Sequence, residues 1–137
     1  MTADVESEIA IALNTHLSAL SVAWPKSFPN VGFMPPNDGN YLKVSFQPNE
    51  TETYSHKDGP YRYLGLYQIT ITTKSGMGEI EAVRQASLVA RHFEYLTQLT
   101  TPSGVVKVTS RPSVRPGIQG KNTYEIPVTI RYELIIN

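Results

Sequence analysis

The chain contains no cysteine among its 137 residues. This excludes structural disulfides, thiolate metal sites and every enzyme class with a cysteine nucleophile, and it fits a protein made in a reducing compartment. Charge of one sign is missing too: twelve Lys and Arg balance twelve Asp and Glu, for a formal net charge of zero. A protein that binds by neutralising phosphates carries a basic excess or stripe, so sequence-specific nucleic-acid binding is not expected. Arg111, Arg115 and Lys121 make one local basic loop, whose first reading is solvated loop charge. No run approaches the ~20 apolar residues that span a bilayer, and no membrane partner is expected. The acidic stretch Met1 to Glu8 has no basic region before an apolar one, so no secretory signal is expected.

What is present suits one domain over residues 1–137, since domains commonly run to ~100–150 residues. A chain of this length buries ~65–70% of its unfolded surface, enough for a core without staples. The first periodic segment runs from Thr2 to about Ala19, where Val5, Ile9, Leu13 and Leu17 recur every four residues. That spacing is one helical stripe, with Thr2 as N-cap and Asp4 and Glu6 placed to suit the helix dipole. Trp24-Pro25 ends it, and residues 25–40 are rich in Pro, Gly and Asn and predict a loop.

Tyr41 to Phe46 alternates, with Leu42, Val44 and Phe46 on one face, which predicts a half-buried strand. Gln47 to Tyr61 is polar and long, with a turn at Asp58-Gly59-Pro60. Loops beyond ~12 residues in compact domains are commonly functional, and this one sits between strands as an extended hairpin tip. Arg62 to Thr73 predicts the next strand, with Gly65, Tyr67, Ile69 and Ile71 on one side. A second helix is expected over about Glu79 to Leu96, with Ile80, Val83, Ala86, Ala90 and Phe93 as its inward stripe and small residues that suit close packing on a sheet. Val105 to Ser110 predicts a short strand, and Arg111 to Asn122 a second loop. From Thr123 to Ile136 the even-numbered residues from Tyr124 to Ile136 are all apolar, a long strand with one buried face. Pro127 lacks a ladder donor, which predicts an edge or a bulge near the start of that strand. The element order gives an α+β fold: an antiparallel four-stranded sheet with two helices packed on one face and long hairpin loops.

Convergent chemistry is scarce. His16 and His92 have no second ligand at helical spacing and are ordinary boundary histidines on this reading. His56-Lys57-Asp58 could be drawn as a base with an orienting acid, but neighbours in one loop rarely hold catalytic geometry. No serine sits in a G-x-S-x-G elbow. Gly76-Met77-Gly78 opens like a dinucleotide fingerprint, yet Glu81 stands where glycine is required. No catalytic, cofactor or metal residue is therefore assigned. Tyr54, Tyr61, Tyr63 and Tyr67 gather around the 47–61 loop, where tyrosine suits either a half-buried strand or an interface.

The string Tyr61-Arg62-Tyr63-Leu64-Gly65-Leu66-Tyr67-Gln68-Ile69-Thr70-Ile71 leads through Gly76-x-Gly78 to Ala82-Val83-x-x-Ala86 and His92-Phe93. With the first helix before Trp24-Pro25 and the strand Tyr124-Glu125-Ile126-Pro127-Val128, it resembles the tail terminator proteins of long-tailed bacteriophages. The resemblance spans most of the chain and rests on pattern, not on an invariant motif. It implies a structural virion protein without catalysis or cofactor, located in the tail and made in the bacterial host cytoplasm. It implies a ring, usually a hexamer, capping the head-proximal end of the tail tube, with the major tail tube protein and the head–tail connector as partners and DNA free to pass through. The surfaces expected to grip neighbours are the two loops, through Glu50, Glu52, Tyr54, His56, Lys57, Asp58 and Tyr61 in one and Arg111, Arg115 and Lys121 in the other. The alternatives are another head–tail joining or tail-completion protein and, from a different class, a small ligand-binding, isomerase-like α+β domain. That last reading needs a polar group pointing into the apolar face of the sheet.

Overall fold

The computed structural model describes residues 4–20, 24–49, 52–53 and 61–136, with backbone alone at Glu52, Thr53 and Ile136. Helix α1 spans Val5–Ser18, with Asp4 as N-cap and Glu6 and Glu8 in its first turn. The expected cap Thr2 lies outside the described residues. Val5, Ile9, Leu13 and Leu17 are all buried, so the four-residue stripe faces the core as its spacing requires.

The described strands form one curled, mixed sheet, larger than the four antiparallel strands expected. In chain order they are β1 (Lys26–Ser27), β2 (Tyr41–Pro48), β3 (Glu52–Thr53), β4 (Tyr61–Lys74), β5 (Gln98–Thr101), β6 (Gly104–Val108), β7 (Ser113–Val114), β8 (Ile118–Gln119) and β9 (Thr123–Ile136), with helix α2 (Ile80–His92) between β4 and β5. Across the sheet the order is β1-β2-β4-β9-β6-β5, with β3 on β4 and β7 and β8 on β9. The centre is the long antiparallel pair β4 and β9, in unbroken register from Tyr61 opposite Ile136 to Lys74 opposite Thr123. The four expected strands are β2, β4, β9 and β6, and each is antiparallel to its neighbour. The sheet is mixed because β1 joins β2 in parallel.

Alternation sets which face is buried. Leu42, Val44, Tyr67, Ile69, Ile71, Val106, Val108 and the even residues Ile126 to Leu134 join the inward residues of both helices in one cluster. Both helices therefore cover the same face. The other face is polar and carries the ion pairs Lys43–Glu125 and Arg62–Glu133.

Three expectations need correction. Helix α2 ends at His92, not near Leu96. Phe93 leaves helical geometry and is fully buried, and the Leu96 N–H donates to Val108 O at 3.0 Å, so the chain after the helix is drawn into the sheet as β5. The inward face of α2 is rotated from the expected stripe. Ala82, Gln85, Ala86 and Val89 are buried, while Ile80 and Val83 stand 62% and 39% exposed. The small side chains, not the large ones, let the helix lie close to the sheet.

The 111–122 segment is no free loop, since β7 and β8 lie along β9. Pro127 falls, as its missing donor predicts, at a break in pairing: β9 is unbroken against β4, but on its other side the partner changes from β7 to β8 with a register step of one residue. The Arg115 N–H donates to Pro127 O at 2.9 Å, so the main-chain polar groups of Pro127 face away from β4, toward the break between β7 and β8. Its missing donor falls where the ladder is interrupted anyway.

Candidate functional site

A ligand site inside the fold needs polar groups that are left unengaged. The hydroxyl of Tyr67, buried in the core, donates to Asn14 Oδ1 at 2.6 Å. Burial drives its pKa far above the ordinary tyrosine value. Gln85 Oε1 accepts from the Trp24 backbone N–H at 3.0 Å, fastening the chain after α1 to α2. Thr73 Oγ1 donates to Asn40 Oδ1 at 2.6 Å. These groups have structural partners, and a buried polar network satisfied within itself rigidifies a core, whereas the hydroxyl of Thr72, buried on β4, makes no hydrogen bond among the described residues. By alternation Thr72 lies on the sheet face away from Ile69 and Ile71, so it does not point into the apolar face, where the isomerase-like alternative needs a polar group. Among the described residues no group of three or more His, Asp or Glu side chains is placed to hold a metal.

The two histidines singled out as ordinary form an arrangement that their sequence spacing concealed. His16 Nε2 lies 2.7 Å from His92 O, and His92 Nε2 bonds His16 O in return. A carbonyl oxygen only accepts, so Nε2 carries the proton on both rings. The rings stack at a centroid distance of 4.0 Å and an angle of 13°. Phe93 stands edge-on to both, at 4.8 and 5.5 Å. The last turns of the two helices are thereby clasped together.

Burial lowers the His92 pKa below its ordinary 6.5, and the charges of His16 and Lys26 push it further down, against a smaller rise from the bond to His16 O. A depressed histidine pKa means that the unfolded chain takes up its proton at higher pH than the folded one. Its stabilising contribution is complete above pH 6.5 and declines as the pH falls from there through the folded-state value. Urea unfolding at pH 7.5 and 5.5 should therefore show a drop in stability that shrinks in His92→Gln. An equal drop in both proteins would remove the clasp from the account.

The expected interface residues fall into two groups. Glu50, Tyr54, His56, Lys57 and Asp58 lie outside the described residues. Glu52 is placed by its backbone in β3, opposite Arg62, and Tyr61 is half-buried at the start of β4, opposite Ile136. Arg111, Arg115 and Lys121 are exposed along the β7–β8 side of β9. Glu52 of β3 and the residues along β7 and β8 thus stand at opposite flanks of the central pair, since β3 pairs with β4 and β7 and β8 with β9.

Sequence reasoning missed a further surface. An apolar groove of about 590 Å³ runs between α1 and β5, lined by Ile11, Ala12, Thr15, Ala19, Leu99 and Pro102 among others. Ile11 stands 63% exposed in it. The only signal was Ile11 itself, an isoleucine off the helical stripe.

The comparisons with known proteins follow from this geometry. A family model described as phage tail terminator protein matches residues 8–132, from α1 through most of β9. The chain belongs to the phage tail terminator family. The tail terminator match makes it a structural protein of the phage virion tail. Among solved structures, one chain whose title gives no function aligns with a TM-score of 0.81 and 20% identity over 96% of each chain. Another, from a structure titled as the virion of a native gene transfer agent particle, aligns with a TM-score of 0.68 and 15% identity, covering 98% of this chain and 99% of that one. At these identities the likeness is one of fold. No curated protein matches the chain.

Proposed function

We propose that this tail terminator is one domain over its whole length, assembles into a closed ring, a hexamer, at the head-proximal end of the tail tube, stops tube polymerisation there and presents its other face to the head–tail connector. It does so without catalysis. The match of the family model to residues 8–132 carries the reading. The arrangement of surfaces supports it: the apolar residues of both helices and the sheet gather in one core, and β3, from one expected contact segment, and β7 and β8, from the other, lie on opposite flanks of the β4–β9 pair. A subunit with two different contact surfaces closes into a ring when the rotation per step divides the circle.

The 47–61 and 111–122 segments are the proposed contacts to neighbouring copies and to the tube, since segments held on a rigid sheet are common binding elements. The test is tail length. Phage lacking the gene are expected to build tubes with a broad, overlong length distribution and no heads attached, and the intact gene restores a single length. A version lacking residues Thr51 to Asp58 should keep its unfolding midpoint but fail to restore it. Normal tails in the absence of the protein would refute termination. Normal tails with the shortened version would refute only the role of that segment.

A further inference from the structure

The two margins of the sheet differ from its interior in having main-chain groups without partners among the described residues. On β2 the Leu42 N–H donates outward to Pro25 O at 2.8 Å, whereas the Asn49 N–H donates inward to Leu64 O at 2.8 Å. By alternation the even residues of β2 face outward. The register of β1 with Leu42 and Lys43 engages the Val44 N–H with Ser27 O, which leaves the Val44 C=O and both main-chain groups of Phe46 open among the described residues. At the other margin the Val108 N–H donates to Thr97 O at 3.0 Å, so odd residues of β5 face β6, and Gln98 and Thr100 face outward. The β5 margin thus offers two donors and two acceptors, and the β2 margin the Phe46 N–H with the C=O groups of Val44 and Phe46, at the same two-residue spacing. Such open edges are templates for pairing with another chain unless something blocks them. No charged side chain or proline lies within either open stretch, Val44 to Gln47 or Gln98 to Thr101.

The side chains agree with the backbone. Phe46 lies on the helix-covered side of the sheet, stacked on Tyr132 at 5.7 Å and only half-buried at the margin. Leu99 lies on that same side at the opposite margin, where it lines the 590 Å³ groove with Ile11, Ala12 and Thr15. A strand added outside β5 with its faces kept would set a side chain in the position of Phe46 over this groove. Direction fits as well. The strands β2, β4, β9, β6 and β5 alternate in direction, so β2 and β5 run the same way, and a head-to-tail copy would bring them together in parallel. Copies with no net formal charge do not repel one another at long range.

We infer that the occupant of the α1–β5 groove is a second copy of this chain, whose Val44–Gln47 edge pairs in parallel with Gln98–Thr101 and whose Phe46 fills the groove, so that the sheet runs on from subunit to subunit. This rests on the ring reading above and adds the surfaces by which neighbours join.

The absence of cysteine allows a clean test on assembled tails and on the concentrated full-length protein. Ser45→Cys and Thr100→Cys lie on the polar face of their margins, away from the core. Combined in one chain and oxidised, they should give a ladder of disulfide-linked multimers on a non-reducing gel, and either change alone should give none. Thr100→Pro removes one outward donor and none of the bonds between β5 and β6, so the fold should persist. Ile11→Glu places a charge in the groove at an exposed position. Both are expected to raise the concentration for half-assembly by about tenfold or more, with the unfolding midpoint unchanged. Assemblies that form normally with Thr100→Pro and Ile11→Glu, and that give no ladder, overturn the edge pairing while leaving the ring intact. A chain that stays monomeric both at high concentration and on tails overturns ring and edge together.

Discussion

Gly65→Ala is expected to cost about 3 kcal/mol of stability, at the upper end of what overpacking a filled site costs. Gly65 lies opposite Tyr132 in the central pair, and the Tyr132 ring crosses it to stack on Phe46. A Cβ at position 65 would lie 2.6 Å from the Tyr132 hydroxyl, 2.6 Å from Gln47 O and 2.9 Å from Pro48 Cα. The ring could swing away, but the other two obstacles are backbone, held by the pairing of Pro48 with Gly65. Relief would open the β2–β4 ladder at its end. It would also bring into water a tyrosine whose pKa burial, and then Glu6, push up to about 12. Gly65→Val should do more damage, since its two methyls meet the same atoms. Gly32→Ala is the control, with nothing within 4 Å of its added carbon, and should stay within about 0.5 kcal/mol of the parent. Urea unfolding decides the matter: a loss below about 1 kcal/mol for Gly65→Ala would mean that the crossing of β2, Gly65 and Tyr132 is looser than described.

That crossing shows how far the sequence could be read. Alternation put Gly65 on the same face as Tyr67, Ile69 and Ile71, correctly, because a period of two follows from strand geometry alone. It could not say that the empty place belonged to a side chain 67 positions further on, since cross-strand partners are set by register. The same limit explains the sheet. The strands with long alternating stretches, β2, β4, β6 and β9, were legible in outline. The two-residue β1, β3, β7 and β8 have no period to detect and form because β2, β4 and β9 offer them unpaired backbone. In α2 the periodicity was right and the phase wrong. Apolarity pointed to Ile80 and Val83, but proximity to the sheet selected Ala82, Ala86 and Val89, which leave room for the backbone.

The site was less legible than the fold. An interface made from strand margins uses N–H and C=O groups that every residue carries, so no residue type signals it. The loops drew attention because polar, proline-rich strings stand out in a sequence. The α1–β5 groove did not, because β5 begins where the helix pattern was extended too far. The histidine clasp was hidden for a related reason: its two members are 76 residues apart and meet only when the ends of both helices are brought together.

Phe93→Ala is expected to cost about 3–5 kcal/mol, the usual loss when a buried phenylalanine leaves a cavity. Its ring is wholly buried and touches three others: His16 and His92, both edge-on, and Tyr67 at 5.7 Å. Its place is also the first residue beyond α2, where its backbone N–H still donates to Val89 O. Truncation therefore does more than empty a volume. It frees one side of the stacked histidines and admits water to their Nε2–H bonds, which lessens the desolvation that depresses the His92 pKa. Phe93→Ala should then lose stability at pH 7.5 and also show a smaller further loss between pH 7.5 and 5.5 than the parent protein. Phe93→Leu, which keeps most of the volume, should lose about 1–2 kcal/mol and retain more of the pH dependence. If Phe93→Ala loses the expected stability while its pH dependence stays that of the parent, the ring fills space without supporting the clasp. The join between the two helix ends must then be held by the histidine–carbonyl bonds alone.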